Sequence, residues 1–255
     1  VKAHNNISRL LKIMDDLRLN CPWDKKQTLD SLKRLTVEET YELNDAIENK
    51  NFENIKEELG DLLLHIVFYS KIASEKNHFN FNDVVEKICE KLIERHPHVY
   101  GELKIRDENE VKHNWEMIKK EKTNKSLLSG VPKTLPPISK AYRVQEKVSS
   151  VGFDWKKSES VIEKIFEEFN EFQSAISSKN KNDINDEFGD ILFSLINYAR
   201  HNNIDPEQSL NSSTEKFKKR FNTLEKIVES NGVDIKDISE KKLNDFWEKS
   251  KKINS

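Results

Sequence analysis

The sequence predicts an all-α protein made of two tandem four-helix-bundle-like units, and three observations lead there. Glycine and proline are scarce, 6 of each in 255 residues, too few for the turns of an all-β fold. Apolar residues recur at helical spacing: Ile55, Leu59, Leu62, Ile66 and Tyr69 step by 4, 3, 4 and 3. The same stripe returns as Ile184, Phe188, Ile191, Leu195 and Tyr198, within a segment that is written twice. Both stripes read as core.

The repeat pairs TVEETYELNDAIENKNFENIKEELGDLLLHIVFYSK at 36–71 with IFEEFNEFQSAISSKNKNDINDEFGDILFSLINYAR at 165–200, every residue displaced by 129. Glu38, Glu39, Glu42, Glu58, Gly60 and Asp61 recur as Glu167, Glu168, Glu171, Glu187, Gly189 and Asp190. The flanks repeat more loosely. Trp23-Asp24 answers Phe153-Asp154, Lys91 and Arg95 answer Lys216 and Arg220, and Trp115 with Lys119 answers Trp247 with Lys251. Between the copies, Gly130, Pro132, Pro136 and Pro137 interrupt any helical pattern. The expected division is a unit at 1–122, a linker at 123–138 and a second unit at 139–255.

Composition narrows the function classes. With 43 basic and 45 acidic residues, the net charge of -2 offers no basic excess for a nucleic-acid backbone, so polymeric nucleic acid is not the expected partner. Cys21 and Cys89 are too few for a disulfide framework and lack zinc-site spacing, which leaves them as reduced thiols. No apolar run approaches the ~20 residues of a membrane span, and VKAHNNISRLLKIMDD lacks the apolar core of a secretory signal. A cytoplasmic protein without a membrane partner is expected.

Residues three or four apart share a helix face, so Glu39 pairs with Glu42, and Glu58 with Asp61. Asn49-Lys50-Asn51 is the natural break between the two helices, and an antiparallel hairpin is the simplest connection. Position 50 is the midpoint of both 42 with 58 and 39 with 61, so folding there sets Glu42 beside Glu58 and Glu39 beside Asp61. Glu168, Glu171, Glu187 and Asp190 are symmetric about Lys179 in the same way. Carboxylates gathered so closely repel unless protonated or neutralised by a cation. An all-oxygen donor set suits Mg2+, with Mn2+ as a substitute. A di-iron bundle would need repeated Glu-x-x-His; Glu75 with His78 and Glu110 with His113 fit that string but do not repeat. All seven histidines are assigned structural or surface places.

The basic and aromatic residues point toward phosphate. Lys216 and Arg220, four apart, suit a polyphosphate, and Trp247 offers a stacking surface for any base. There is no Gly-rich phosphate loop of the P-loop type.

The string E-E-x-x-E, 15 residues, then E-x-x-D, together with CPWDKKQT at 21–28, RHPHV at 95–99 and VGFDW at 151–155, resembles the tandem-domain MazG nucleoside triphosphate pyrophosphohydrolases over essentially the whole chain. The carboxylate string is shared with the wider all-α pyrophosphohydrolase superfamily, which includes dimeric dUTPases. The resemblance implies MazG units in an intertwined homodimer, magnesium dependence, and cleavage of nucleoside triphosphates between the α and β phosphates with broad base tolerance. It puts metal ligands at Glu168, Glu171, Glu187 and Asp190, and nucleotide contacts at Lys164, Glu167, Glu168, Asp190, Lys216, Arg220 and Trp247, with Lys119 and Lys251. Glu167 or a ligating carboxylate would orient the attacking water. A second metal set would be Glu39, Glu42, Glu58 and Asp61.

In such tandem proteins the C-terminal unit is the usual catalytic one, and two features agree. Lys164 is replaced by Leu35 in the first copy, and Pro97 should stop a helix soon after Arg95. The competing expectation is a non-catalytic regulatory dimer that binds nucleotide and metal through a degenerate site.

Overall fold

In the computed structural model the described residues are 2–104, 107, 110–111, 114–115, 117–118 and 126–254, and among them every regular element is helical. The chain is all-α and forms two compact units, Val1–Ile105 and Arg106–Ser255. Lys119 and residues 123–125 of the expected linker lie outside the described residues.

The first unit contains α1 (Lys2–Asn20), α2 (Leu29–Glu48), α3 (Phe52–Ser74), α4 (Phe81–Arg95) and the single turn α5 (Pro97–Tyr100). A capping box starts α2: the Thr28 hydroxyl accepts from Ser31 N at 3.1 Å, and Thr28 N donates to Ser31 Oγ at 2.9 Å. Asn49 ends the helix, Lys50 turns the chain with φ 53°, and the Asn51 side chain caps α3 by accepting from Asn54 N. The α2–α3 hairpin therefore closes at the break the sequence marks. Its core is Met14, Leu32, Val67, Phe68 and Ile72, with α1 and α4 packed on α3.

The second unit contains α6 (Pro137–Ser149), α7 (Ser158–Ser178), α8 (Lys181–His201), α9 (Pro206–Ser230) and α10 (Glu240–Ile253). Lys179, with φ 59°, makes the α7–α8 turn, and Asn180 caps α8. A non-glycine residue in this left-handed region costs about 1 kcal/mol. The two copies take that conformation at positions 129 apart, Lys50 and Lys179. Helix α6 packs on α8, α9 packs on α6, α8 and α10, and Leu224, Val228 and Phe246 form a small core between α9 and α10. The units differ where Pro97 intervenes: α4 ends at Arg95, whereas α9 continues to Ser230.

The reading of the repeated stripe as core needs correction. Leu59 and Ile66 are 53% and 45% exposed, and Phe188 and Leu195 are 52% and 47% exposed. On α3 the buried face runs instead through His65, Val67, Phe68, Ser70, Ile72 and Ala73, because α1 and α4 approach from that side. The stripe is wider than two neighbouring helices can cover, and part of it faces outward. Among the described residues no helix is long and apolar enough to cross a membrane.

Candidate functional site

Each hairpin brings carboxylates of its two helices together. Ligand oxygens of Glu39, Glu58 and Asp61 lie within 4.8 Å of one another, as do those of Glu168, Glu171 and Glu187. Glu42 and Asp190 fall outside these triads but remain electrostatic neighbours of them. Helical periodicity supplies two carboxylates per helix, and the tight turns at Lys50 and Lys179 bring the two helices into register.

The groups resist shared ionisation. Burial, then Asp61, Glu42 and Glu38, push the Glu39 carboxyl above its ordinary value, against a lowering hydrogen bond with Glu58. Burial first, then Glu42, Glu39, Asp61 and Glu57, raises Glu58. In the second unit burial, then Glu171, Asp190, Glu168 and Asp183, raises Glu187. A set of close carboxylate oxygens, with Glu39, Glu58 and Glu187 raised partly by their acidic neighbours, fits a hard divalent cation by donor chemistry and by electrostatics.

The clusters differ in what neutralises them. Lys164 Nζ stands 2.7 Å from Glu168 and 2.8 Å from Glu167, and those bonds hold its ammonium well above the ordinary lysine range. Glu168 is only 6% exposed, so this is the counter-charge of a buried acid. In the first unit Leu35 occupies the equivalent position and packs on the core.

A polar network absent from the second unit lies on the same hairpin as the first cluster. Thr36 Oγ1 is 3.0 Å from Leu32 O, 2.6 Å from His65 Nδ1 and 2.6 Å from Tyr69 Oη. The hydroxyl has one proton; with that proton assigned to Leu32 O, His65 Nδ1–H and Tyr69 O–H both donate to Oγ1. Burial, which favours the neutral ring, holds His65 below its ordinary value against the opposing pull of Asp61. The matching residues in the second copy are Ile165, Ser194 and Tyr198. His65 thus takes the structural place expected of it.

The basic and aromatic residues are on other elements. Lys216 and Arg220 lie on α9, and Trp247 and Lys251 on α10. The Trp247 ring packs 5.2 Å from Phe217 and against the α9–α10 core, with Lys251 Nζ 6.0 Å from its centroid. Lys251 pairs with Glu248 at 2.6 Å, and the buried Nε of Arg220 has no hydrogen-bond partner among the described residues. The structure gathers the carboxylates and Lys164; it leaves the α9–α10 group on its own helical pair, with no ion pair to the carboxylates among the described residues. Trp115 is half-buried, and Lys119 lies outside the described residues.

Sequence reasoning missed the anchors that hold each hairpin to the segment before it. Asp154 Oδ1 accepts from Arg200 at 2.6 Å and lies 2.9 Å from His201 Nε2, and Arg200 also donates to Asn197. Burial pushes Asp154 up, but hydrogen bonds from Arg200, Ser149 and His201 outweigh it and bring the carboxyl to about 2. In the first unit an arginine from α1 does similar work: Arg18 donates to the carbonyls of Asp24 and Gln27 and to Glu75. The repeated Asp24 and Asp154 were the available signal, but their partners are not repeated in sequence.

Fold and site together define a class: an all-α protein with two helical hairpins, each gathering carboxylates into a cluster suited to a divalent cation. The chain belongs to the MazG family, since residues 27–100 and 156–224 match the MazG nucleotide pyrophosphohydrolase domain. It is 43% identical to the nucleoside triphosphate pyrophosphohydrolase/pyrophosphatase MazG of Thermotoga maritima, over 95% of this chain and 94% of that protein. It is 37% identical to the nucleoside triphosphate pyrophosphohydrolase of Escherichia coli, over 97% of this chain and 98% of that one. A crystal structure of a MazG-related protein from Thermotoga maritima aligns with 44% of this chain and 98% of its own, at 27% identity and a TM-score of 0.40.

Proposed function

We propose that this nucleoside triphosphate pyrophosphohydrolase cleaves its substrates to monophosphate and pyrophosphate in a magnesium-dependent reaction with broad base tolerance, at the C-terminal cluster. Full-length relatives that carry this enzyme name support the reaction. The observation that carries the assignment to this unit is Lys164 beside the buried Glu168, a cation ready for phosphate that the first copy lacks.

Glu168, Glu171, Glu187 and Asp190 would hold the cation, which supplies charge neutralisation and a more acidic water when bound. Lys164 lies beside these carboxylates and can exchange Glu168 for a phosphate oxygen. Glu167, which pairs with Lys164 at 2.8 Å, or a ligating carboxylate would take a proton from the attacking water. Lys216 and Arg220 would bind the departing phosphates, Trp247 would stack on the base without reading its edge, and Lys119 and Lys251 would add charge.

Dimerisation is part of the reading. Phe166, Phe169, Phe188, Leu192 and Leu195 are exposed on α7 and α8, an apolar surface that a second copy would cover. Light scattering should give twice the 29.9 kDa chain mass; a mass of one chain at micromolar concentration would refute it. A cytoplasmic location and the absence of a membrane or polymeric nucleic-acid partner complete the proposal.

The deciding assay offers the eight standard nucleoside triphosphates with Mg2+ and detects monophosphate and pyrophosphate. Turnover of several bases is expected. Stoichiometric binding without pyrophosphate release would favour the regulatory alternative.

A further inference from the structure

We infer that Lys164 is a built-in counter-cation that competes with divalent metal for the C-terminal cluster, while Leu35 leaves the N-terminal cluster without a competitor. In the nucleotide-free protein the N-terminal unit is then the tighter metal site, and the C-terminal unit reaches its full metal affinity only when nucleotide phosphate draws Lys164 away. This rests on the metal-site reading above and adds to it an order of binding.

Glu168 is the most buried member of its triad and has a charged partner already, Lys164 at 2.7 Å, four residues earlier on the same helix. An ammonium so close to a ligating carboxylate repels an incoming cation and satisfies the charge that would attract it. Among the described residues no ion pair reaches Glu39 or Glu58, and the charged neighbours that act most on them are acids: Glu38, Glu42, Glu57 and Asp61. The two hairpins turn in the same left-handed conformation at Lys50 and Lys179, and Lys164 and Leu35 stand at equivalent positions four residues before Glu168 and Glu39. Phosphate gives Lys164 an alternative partner, and linkage makes the effect mutual: whatever nucleotide does for metal at this cluster, metal does for nucleotide.

The test titrates the full-length, nucleotide-free protein with Mn2+ and follows free Mn2+ by electron paramagnetic resonance. Two classes of site are expected, the tighter removed by Glu58→Gln and the weaker by Glu187→Gln. Lys164→Met should tighten the weaker class by about tenfold, a modest factor because the lysine is partly exposed, and leave the tighter class unchanged. Lys164→Gln keeps a hydrogen-bond donor for the buried Glu168, serves if the Met variant fails to fold, and should shift the same class in the same direction. Leu35→Lys should weaken the tighter class. Unchanged or weaker Mn2+ binding at the C-terminal cluster in both Lys164 variants overturns the inference while leaving the metal sites standing. Absence of any glutamate-dependent Mn2+ binding in the parent protein overturns the metal-site reading and this inference together.

Discussion

In the C-terminal unit a buried glutamate is matched by an ammonium one helical turn away; in the N-terminal unit that turn carries a leucine, and the carboxylates face one another. The hairpins share an asparagine cap at Asn51 and Asn180 and a left-handed lysine at the turn. Backbone geometry in this chain is therefore set by local signals that both copies keep. The chemistry of each cluster is set by single residues on the helix face, which diverge without disturbing the fold. A buried His65, within hydrogen-bond distance of Thr36, which also meets Tyr69, links the two helices of the first hairpin at positions where the second has Ile165 and Ser194. One copy has an ammonium beside its acids, and the other has an apolar side chain at that position, with Thr36 at the next residue hydrogen-bonded to His65 and Tyr69.

The comparison breaks most sharply in turnover. Glu187→Gln preserves side-chain shape and removes a charged ligand, so kcat/KM should fall about 100-fold or more. Glu58→Gln is the same change in the first copy and should lower kcat/KM less than about threefold. A steady-state assay on both variants decides it: a larger loss in Glu58→Gln would move the catalytic assignment to the first unit.

Metal and pH sharpen the comparison next. Glu39, Glu58 and Glu187 are raised above the ordinary carboxylate value, so the stability contributed by their protonation is present at acid pH and lost as pH rises through their folded values. Millimolar Mg2+ should raise Tm at neutral pH, and this increment should shrink as pH falls into the carboxylate range. Thermal melts with and without Mg2+ across that range test it. An increment independent of pH, or one retained in a protein carrying both Glu58→Gln and Glu187→Gln, would contradict binding at these clusters.

The smallest expected effect lies away from the clusters. Asp154 is lowered from 3.8 to about 2, so its contribution is present above the ordinary value and lost as pH falls toward 2. Asp154→Asn should cost on the order of 2 kcal/mol at neutral pH, with the difference from the parent closing as pH falls through that window. Denaturant melts at neutral pH and near pH 3 measure it; a constant difference would show that Arg200 and His201 do not hold Asp154 as an anion.

Some of this was legible in the residues and some was not. The midpoint at 50 and the asparagines around it already imply that Glu39, Glu58 and Asp61 meet, because helix period and a tight turn are short-range properties. The convergence is less even than that symmetry suggests, since Glu42 and Asp190 stand outside the triads. The stripe through Leu59 and Ile66 is a plainer case. Its periodicity announces a helix, but only the approach of α1 and α4 decides that Val67, Phe68 and Ile72 are the buried ones.

By itself, then, the sequence determined the helices, their two hairpins, the tandem repeat and the residue types of each cluster. All of these depend on neighbours within a few turns of chain or on the 129-residue self-similarity. Tertiary structure alone decided that Glu42 and Asp190 stand outside the triads, that the α9–α10 pair packs chiefly on itself, and which basic groups anchor each hairpin. Arg18 with Glu75, 57 residues apart, and Asp154 with Arg200, 46 apart, meet only after distant helices dock. Their partnership is a property of packing, and no local pattern in the chain encodes it.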